Sequence, residues 1–326
     1  LKVKAIALFS GGLDSILATK IILDQGIDVQ GVAFQTPFFS AQKAIIAADT
    51  IGLPLLIQDI TEEHLFMLKA PRYGYGKNMN PCIDCHTLML KLAGQLMVKM
   101  NADFIFTGEV LDQRPMSQVR QSLHVVAKNS GYMEFIVRPL SAKLLPETKP
   151  EKDGKVNRDK LLDLRGRGRK RQLELARFYG LQSFPPPAGG CLLTDPAFSR
   201  RLKDLLKHQK DPLVRDIELL KFGRHFRINE TTKIIVGRNN FDNIAIEKLQ
   251  KEGDVIIRPT EIPGPTVLLP DGGDEKMLHI AAGICVLYSD APENEAASVE
   301  CKDAEKNTLL TIKSILRDDI EGWIIR

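Results

Sequence analysis

Two groups of residues in this chain have the types and spacing to do chemistry. The first is Ser10-Gly11-Gly12-Leu13-Asp14-Ser15. Adjacent glycines let backbone N–H groups approach an anion closely, because no side chain stands in the way. Ser10 and Ser15 add hydroxyl donors, and no lysine follows the glycines, so the Walker pattern is absent. The chemistry is phosphate binding. The second group is Cys82-Ile83-Asp84-Cys85-His86 together with Cys191. Two cysteines three apart share one face of a helix, and a helix N-terminus lowers a thiol's pKa. Four uses compete for them. The Cys-x-x-Cys-His spacing matches haem attachment, which requires export. Cys82, Cys85, Cys191 and His86 form a tetrahedral zinc set, although a second Cys-x-x-Cys is missing. Cys82 or Cys85 with Cys191 makes a nucleophile and resolving pair for a persulfide. Three thiolates also suit an iron–sulfur cube, with one iron left open to bind hydrosulfide as catalytic zinc binds water. The last two uses both lead to sulfur transfer.

The elements that must position these groups follow from periodicity. Ala5 to Phe9 is an apolar run that reads as a buried strand, and Ile16 to Leu23 as a helix stopping near Gly26. Strand, glycine turn and helix together aim unpaired amides and a helix dipole at an anion. Val29 to Phe34 reads as a second strand, Ala41 to Ile51 as a helix ended by Gly52, and Leu53 to Ile57 as a third strand. This rhythm predicts an α/β fold, a doubly wound parallel sheet that binds ligands at the carboxyl ends of its strands. Asn80 reads as an N-cap and Pro81 as the first residue of a helix opening at Cys82 and reaching about Met100. Asp103 to Thr107 is a fourth strand, and Gly108 at its end permits close approach of a nucleotide. Glu109, Asp112 and Arg114 follow it, placed either to position a base or metal or on an ordinary surface helix. Phe135 to Val137 reads as another strand, and residues 143–159 as an exposed connection.

Arg165, Arg167, Arg169, Lys170 and Arg171 put five cations into seven residues, interleaved with glycine. That density favours contact with RNA phosphates over a solvated loop. Phe184 to Cys191 is a proline stretch followed by glycines, and a helix begins near Asp195-Pro196. Composition changes after Asp211-Pro212. Phe226 to Ile228, Lys233 to Val236 and Val255 to Ile257 read as short strands, Asn240 to Gln250 as a helix, and Ile280 to Tyr288 as a buried segment, while Pro263-Gly264-Pro265 leads into Val267 to Leu269. The expected organisation is a catalytic domain over residues 1–210 and a second, smaller α+β domain over 211–326.

A chain of 326 residues accommodates two such domains, and a net charge of +4 is too mild to identify a partner by itself. Five cysteines without secretory context exclude a disulfide framework and predict reduced thiols in a cytoplasmic protein. No apolar run approaches a membrane span.

The hexapeptide resembles the PP-loop of the ATP pyrophosphatases, and with Asn80-Pro81-Cys82-x-x-Cys85 and the glycine-preceded Cys191 it resembles the ATP-dependent tRNA thiouridine synthases. Over residues 1–205 that resemblance implies that Ser10, Gly11, Gly12, Asp14 and Ser15 grip ATP, with Asp14 where Mg2+ is managed. It implies adenine near Phe34, the nucleotide near Gly108, and sulfur handled by Cys82, Cys85 and Cys191, on a persulfide or a [4Fe-4S] cluster. The implied partners are tRNA and a sulfur donor (sulfide, a cysteine desulfurase or a sulfur-carrier protein), with a homodimer as a further expectation. The zinc-finger cysteine pairs, N-terminal RNA-binding domain and rhodanese domain of various such enzymes are not in this sequence, so the target nucleotide does not carry over. Ile235 to Asn240 and Ile262 to Pro265 resemble the RNA-binding module of ribosome quality-control proteins. Two other functions remain at this stage: a PP-loop ligase forming an amide or amidine with structural cysteines, and a non-catalytic RNA-binding protein that uses ATP as a switch.

Overall fold

The computed structural model describes residues 2–182, 184, 190–293, 295–304 and 306–326, so residues 185–189 of the proline–glycine run lie outside the described residues. The chain divides into two compact units, Leu1–Thr194 and Asp195–Arg326. The division falls before Asp195-Pro196 rather than at 210/211, because the helix starting at Pro196 packs with the second unit.

The first unit runs β1 (Lys4–Leu8), α1 (Leu13–Leu23), β2 (Asp28–Gln35), α2 (Gln42–Ile51), β3 (Leu55–Asp59), α3 (Thr61–Lys69), α4 (Cys82–Lys99), β4 (Phe104–Thr107), α5 (Arg120–Ser130), β5 (Ile136–Val137), α6 (Lys149–Lys152) and α7 (Lys170–Phe178). Its five strands are all parallel, in the order β3-β2-β1-β4-β5. Alternate residues feed two cores, as the period of a strand demands. Ala5, Ala7, Phe104 and Phe106 face one core with α1, α2 and α7, while Ile6, Ile105, Val32 and Phe34 face another with α4 and α5. Helices on both faces make this the doubly wound sheet that the alternation predicts. The strand order reverses at β1, so the crevice for ligands opens between the carboxyl ends of β1 and β4.

The second unit contains α8 (Pro196–His208), α9 (Val214–Leu219), β6 (Arg224–Arg227), β7 (Lys233–Val236), α10 (Asn240–Lys248), β8 (Val255–Pro259), β9 (Val267–Leu269), α11 (Glu275–Leu287), β10 (Ala296–Lys302), β11 (Asn307–Lys313) and α12 (Arg317–Glu321). Its six-stranded sheet is antiparallel throughout, in the order β11-β10-β8-β9-β7-β6. Buried Ala281, Ala282, Ile284 and Cys285 of α11 cover one face, and Ile246 of α10 packs on the other. Cys285 and Cys301 are core residues of this sheet. Among the described residues, no helix is long and apolar enough to cross a membrane.

Candidate functional site

The Ser10–Ser15 loop leaves β1 at the switch point. Gly11 has φ +73°, and a Cβ there would run into the backbone carbonyl of Lys43, so both conformation and space demand glycine. Gly12 is the N-cap of α1 and no side chain caps that end, which leaves first-turn amides for an anion. The hydroxyls meanwhile bond locally: Ser10 Oγ donates to Ser15 Oγ at 3.3 Å, and Ser15 Oγ donates to the Gly12 carbonyl at 2.8 Å. Gly108 meets this loop directly. A Cβ on it would lie 2.5 Å from Ser15 N, so glycine here lets the end of β4 press against the first turn of α1. Phe34 is buried in the α4–α5 core, so its side chain is a packing residue and its backbone is what a nucleotide could meet.

Asp14 is the unsettled group of the loop. Its Oδ2 accepts from Gln113 Nε2 at 3.1 Å, while its Oδ1 is buried with no hydrogen-bond partner. Burial raises its pKa; the Gln113 hydrogen bond and the charges of Arg169 and Arg114 oppose that rise without cancelling it. An orphaned carboxylate oxygen at the mouth of a phosphate loop is the donor a hard divalent cation takes, so the residues fit Mg2+.

The loops that carry the three cysteines of the first unit are tied to one another. The loop before α4 is pinned by Asp84, whose carboxylate accepts from the backbone N–H groups of Arg72 at 3.1 Å and Tyr73 at 3.0 Å. Pro81, rather than Asn80, occupies the N-cap position of α4. Asn80 instead donates from Nδ2 to Cys82 Sγ at 3.2 Å. Asn78 Nδ2 donates to the Thr194 carbonyl at 2.7 Å, tying this loop to the one that carries Cys191. Leu192 N–H in turn donates to the Phe38 carbonyl at 2.9 Å, in the turn that follows β2. All three thiols are free and half-buried. Burial pushes Cys85 well above an ordinary thiol, and charge on Cys191, Cys82 and Asp84 pushes it the same way. Cys191 is pushed up to about 11 by burial; N–H donation from Leu193 opposes this, Cys82 adds to it and Arg114 opposes it. The helix N-terminus therefore does not leave Cys85 a low-pKa thiol, because burial and mutual repulsion outweigh the dipole.

Soft thiols with N–H donors on the sulfurs of Cys82 and Cys191 have the donor chemistry of a thiolate-held iron–sulfur cluster. Among the described residues, no group of three or more His, Cys, Asp and Glu side chains is already spaced to hold a metal ion. His86, the fourth member of the zinc set, is engaged elsewhere: its Nδ1 lies 3.1 Å from Glu109 Oε1, and Arg138 Nε donates to Glu109 Oε2 at 2.9 Å. Burial alone would raise Glu109, but the Arg138 charge and then the His86 hydrogen bond hold it down to about 2. Glu109 is thus an ionised strut linking the end of β4 to α4. Asp112 is likewise committed, with its carboxylate 2.6 Å from Arg165 Nε.

The basic run divides. Arg165 pairs with Asp112 and Arg171 with Asp163 at 2.7 Å, while Arg167 and Lys170 are exposed. Arg169 faces the glycine loop closely enough for its charge to act on Asp14. One signal for this was in the sequence: Gln172 falls on the face of α7 that carries Leu175, Ala176 and Tyr179, a polar residue on a core-facing side, and it is buried and bonded toward Asp14. His64 had no signal at all. It is fully buried between Phe38 and Phe39, with ring centroids at 5.4 and 5.6 Å and neither ring nitrogen partnered.

A parallel sheet with an uncapped Gly-Gly loop at its switch point has the form of a phosphate-binding α/β domain. Residues 2–143 match the family model described as Thiamine biosynthesis protein (ThiI), and residues 223–324 match the one described as NFACT protein RNA binding domain. The chain is thus similar to the ThiI model over its first part and to the NFACT RNA-binding model over its second. Among curated relatives, the probable tRNA sulfurtransferase of Ureaplasma parvum serovar 3 is 27% identical over 146 residues, 43% of this chain and 37% of the relative. The tRNA-specific 2-thiouridylase MnmA of Tropheryma whipplei is 36% identical over 100 residues, 26% of this chain and 27% of the relative. The chain spans under two fifths of the length of each. A crystal structure of a 4-thiouridine synthetase–RNA complex with bound ATP is 21% identical, with a TM-score of 0.39, covering 67% of this chain and 52% of that one.

Proposed function

We propose that this protein is an ATP-dependent tRNA sulfurtransferase that replaces a uridine carbonyl oxygen with sulfur. The observation that carries the reading is the hydrogen bond from Asn78 Nδ2 to the Thr194 carbonyl at 2.7 Å, which joins the loop before Cys82 and Cys85 to the loop that carries Cys191. The Cys191 loop is also hydrogen-bonded to the turn after β2, on the same edge of the sheet as the glycine loop. The relatives named above are a tRNA sulfurtransferase and a 2-thiouridylase, which fits this chemistry.

In this reading the target uridine leaves its stack, because its carbonyl is otherwise out of reach. The carbonyl oxygen bonds to the α-phosphorus of ATP and pyrophosphate departs. The Ser10–Ser15 loop amides hold the departing oxygens, and Asp14, with one carboxylate oxygen unpartnered, would hold Mg2+, which would offset charge on the phosphates. Sulfur then attacks the ring carbon and AMP leaves. Cys82, Cys85 and Cys191 would hold a [4Fe-4S] cluster; when bound, such a cluster offers an open iron that can carry hydrosulfide. Asn80 and the amides after Cys191 stabilise the thiolates in either the cluster or the persulfide version. Exposed Arg167 and Lys170, with the NFACT-type second unit, take the tRNA backbone.

The test supplies anaerobically purified protein with bulk tRNA, Mg–ATP and sulfide, and digests the tRNA for thiolated nucleosides by mass spectrometry. Thiouridine from the native protein and none from Cys82→Ser, Cys85→Ser or Cys191→Ser supports the reading. ATP-dependent modification that survives all three substitutions would instead favour a ligase with structural cysteines. Iron and labile sulfide counts on the same preparation separate a cluster from a persulfide.

A further inference from the structure

The glycine loop brings no cation of its own. ATP carries its charge on the β- and γ-phosphates, so whatever offsets that charge must come from elsewhere in the fold. Two loops are placed to supply it. Gln113 donates to Asp14 Oδ2 at 3.1 Å, and Arg114 is the next residue of that loop. The second loop is fastened to the first: Gly166 N–H donates to the Leu111 carbonyl at 2.7 Å, and Arg165 Nε donates to Asp112 Oδ2 at 2.6 Å. Asp112 holds a left-handed backbone, φ 62°, which few non-glycine residues adopt, so the join is over-determined. The second loop then enters α7, with Arg169 at its N-cap and buried Gln172 reaching Asp14. Arg165 and Arg171 each have an aspartate partner. Among the described residues, neither Arg114 nor Arg169 has a carboxylate at ion-pair distance.

We propose that Arg114 and Arg169, brought to Asp14 by two interlocked loops, form a cationic clamp on the β- and γ-phosphates of ATP. The proposal rests on the reading of Ser10–Ser15 as a pyrophosphate-releasing ATP site and adds the residues that neutralise the leaving group. As the bond from the attacking oxygen to the α-phosphorus forms, the bond from that phosphorus to the β-bridging oxygen breaks. Its electron pair passes to pyrophosphate, where guanidinium groups can take the new charge in bidentate fashion. The charges of both arginines act on Asp14, and that of Arg114 acts on Cys191 as well. Arg169 thereby belongs to the nucleotide rather than to RNA.

The probes are inorganic pyrophosphate, Mg–ATP and AMP, titrated calorimetrically into the full chain. Arg114→Ala and Arg169→Ala should each weaken pyrophosphate and ATP about ten- to a hundredfold, and AMP less than about threefold. Lysine at either position should recover part of the loss, and Arg177→Ala, at the far end of α7, should change nothing. If both alanine variants bind pyrophosphate as the native protein does, the clamp is wrong and the loop reading survives. If the native protein binds neither pyrophosphate nor ATP, the loop reading fails and takes the clamp with it. A variant that also loses AMP binding would point to collapse of the loop and overturn a phosphate-specific role.

Discussion

Gly108→Ala should damage nucleotide chemistry far more than it damages the fold. The added Cβ would lie 2.5 Å from Ser15 N, 2.6 Å from the Asp14 carbonyl carbon and 2.7 Å from Ser15 Cα. Ordinary contact needs about 3.5 Å, so about 1 Å must open. All three obstacles are backbone, so no rotamer change relieves them. The body of α1 cannot give way easily, since Ile16, Leu17 and Ala18 are buried in the core. The glycine loop is the thinner part and should take most of the shift. Overpacking of this kind costs about 1–3 kcal/mol of stability. A displacement of about 1 Å at a reacting centre costs about a hundredfold in turnover. Calorimetric ATP binding, pyrophosphate release and thermal unfolding of the same preparation separate the two effects. Native ATP affinity and native pyrophosphate release in Gly108→Ala would refute the placement of the nucleotide against the end of β4.

Three further outcomes follow from the buried charges and the basic run. Glu109→Gln leaves Arg138 buried beside a neutral partner and should cost about 3–5 kcal/mol in urea unfolding. In the native protein, Glu109 is held at about 2 against a usual 4.5, so its stabilisation is full above pH 4.5 and is lost as pH falls toward 2. His64 is lowered to about 4 from 6.5, so the unfolded chain takes up a proton between those values that the folded chain refuses. Stability should therefore fall by about 3 kcal/mol from pH 6.5 to 4, and His64→Leu should abolish that part of the decline, as read by unfolding at pH 7 and pH 4.5. Replacing Arg167 and Lys170 together by alanine should weaken tRNA binding and lower its log–log salt slope by about 1–2, measured by filter binding across a salt series.

Much of the first unit was legible because its signals are local. The apolar runs at Ala5 and Val29, each followed by a glycine-ended helix, carry the parallel sheet in their period alone. Thr61–Lys69 was missed as α3 although Glu62 and Glu63 in its first turn are a helix-start signal. The β10–β11 hairpin was missed because its strands are largely polar or small and alternate only weakly, which the partner strand β8 overrides. Two Asp-Pro pairs, at 195 and 211, look alike as boundaries, and only the packing of α8 distinguishes them. Cys82 and Cys85 share a face by spacing, whereas nothing local to Cys191 says which loop it meets. The His86–Glu109–Arg138 strut spans three elements and has no sequence signature. Asparagine favours the N-cap position, yet here the sulfur of Cys82 takes the amide of Asn80.

The stoichiometry of a single turnover bears most directly on whether the thiols and the glycine loop form one site. With ATP, sulfide and excess tRNA, AMP and thiouridine should appear one to one from the native protein, and Cys191→Ser should still release pyrophosphate while forming no thiouridine. Thiouridine from Cys191→Ser at the native yield would contradict the account, as would AMP release from the native protein that never brings sulfur into tRNA.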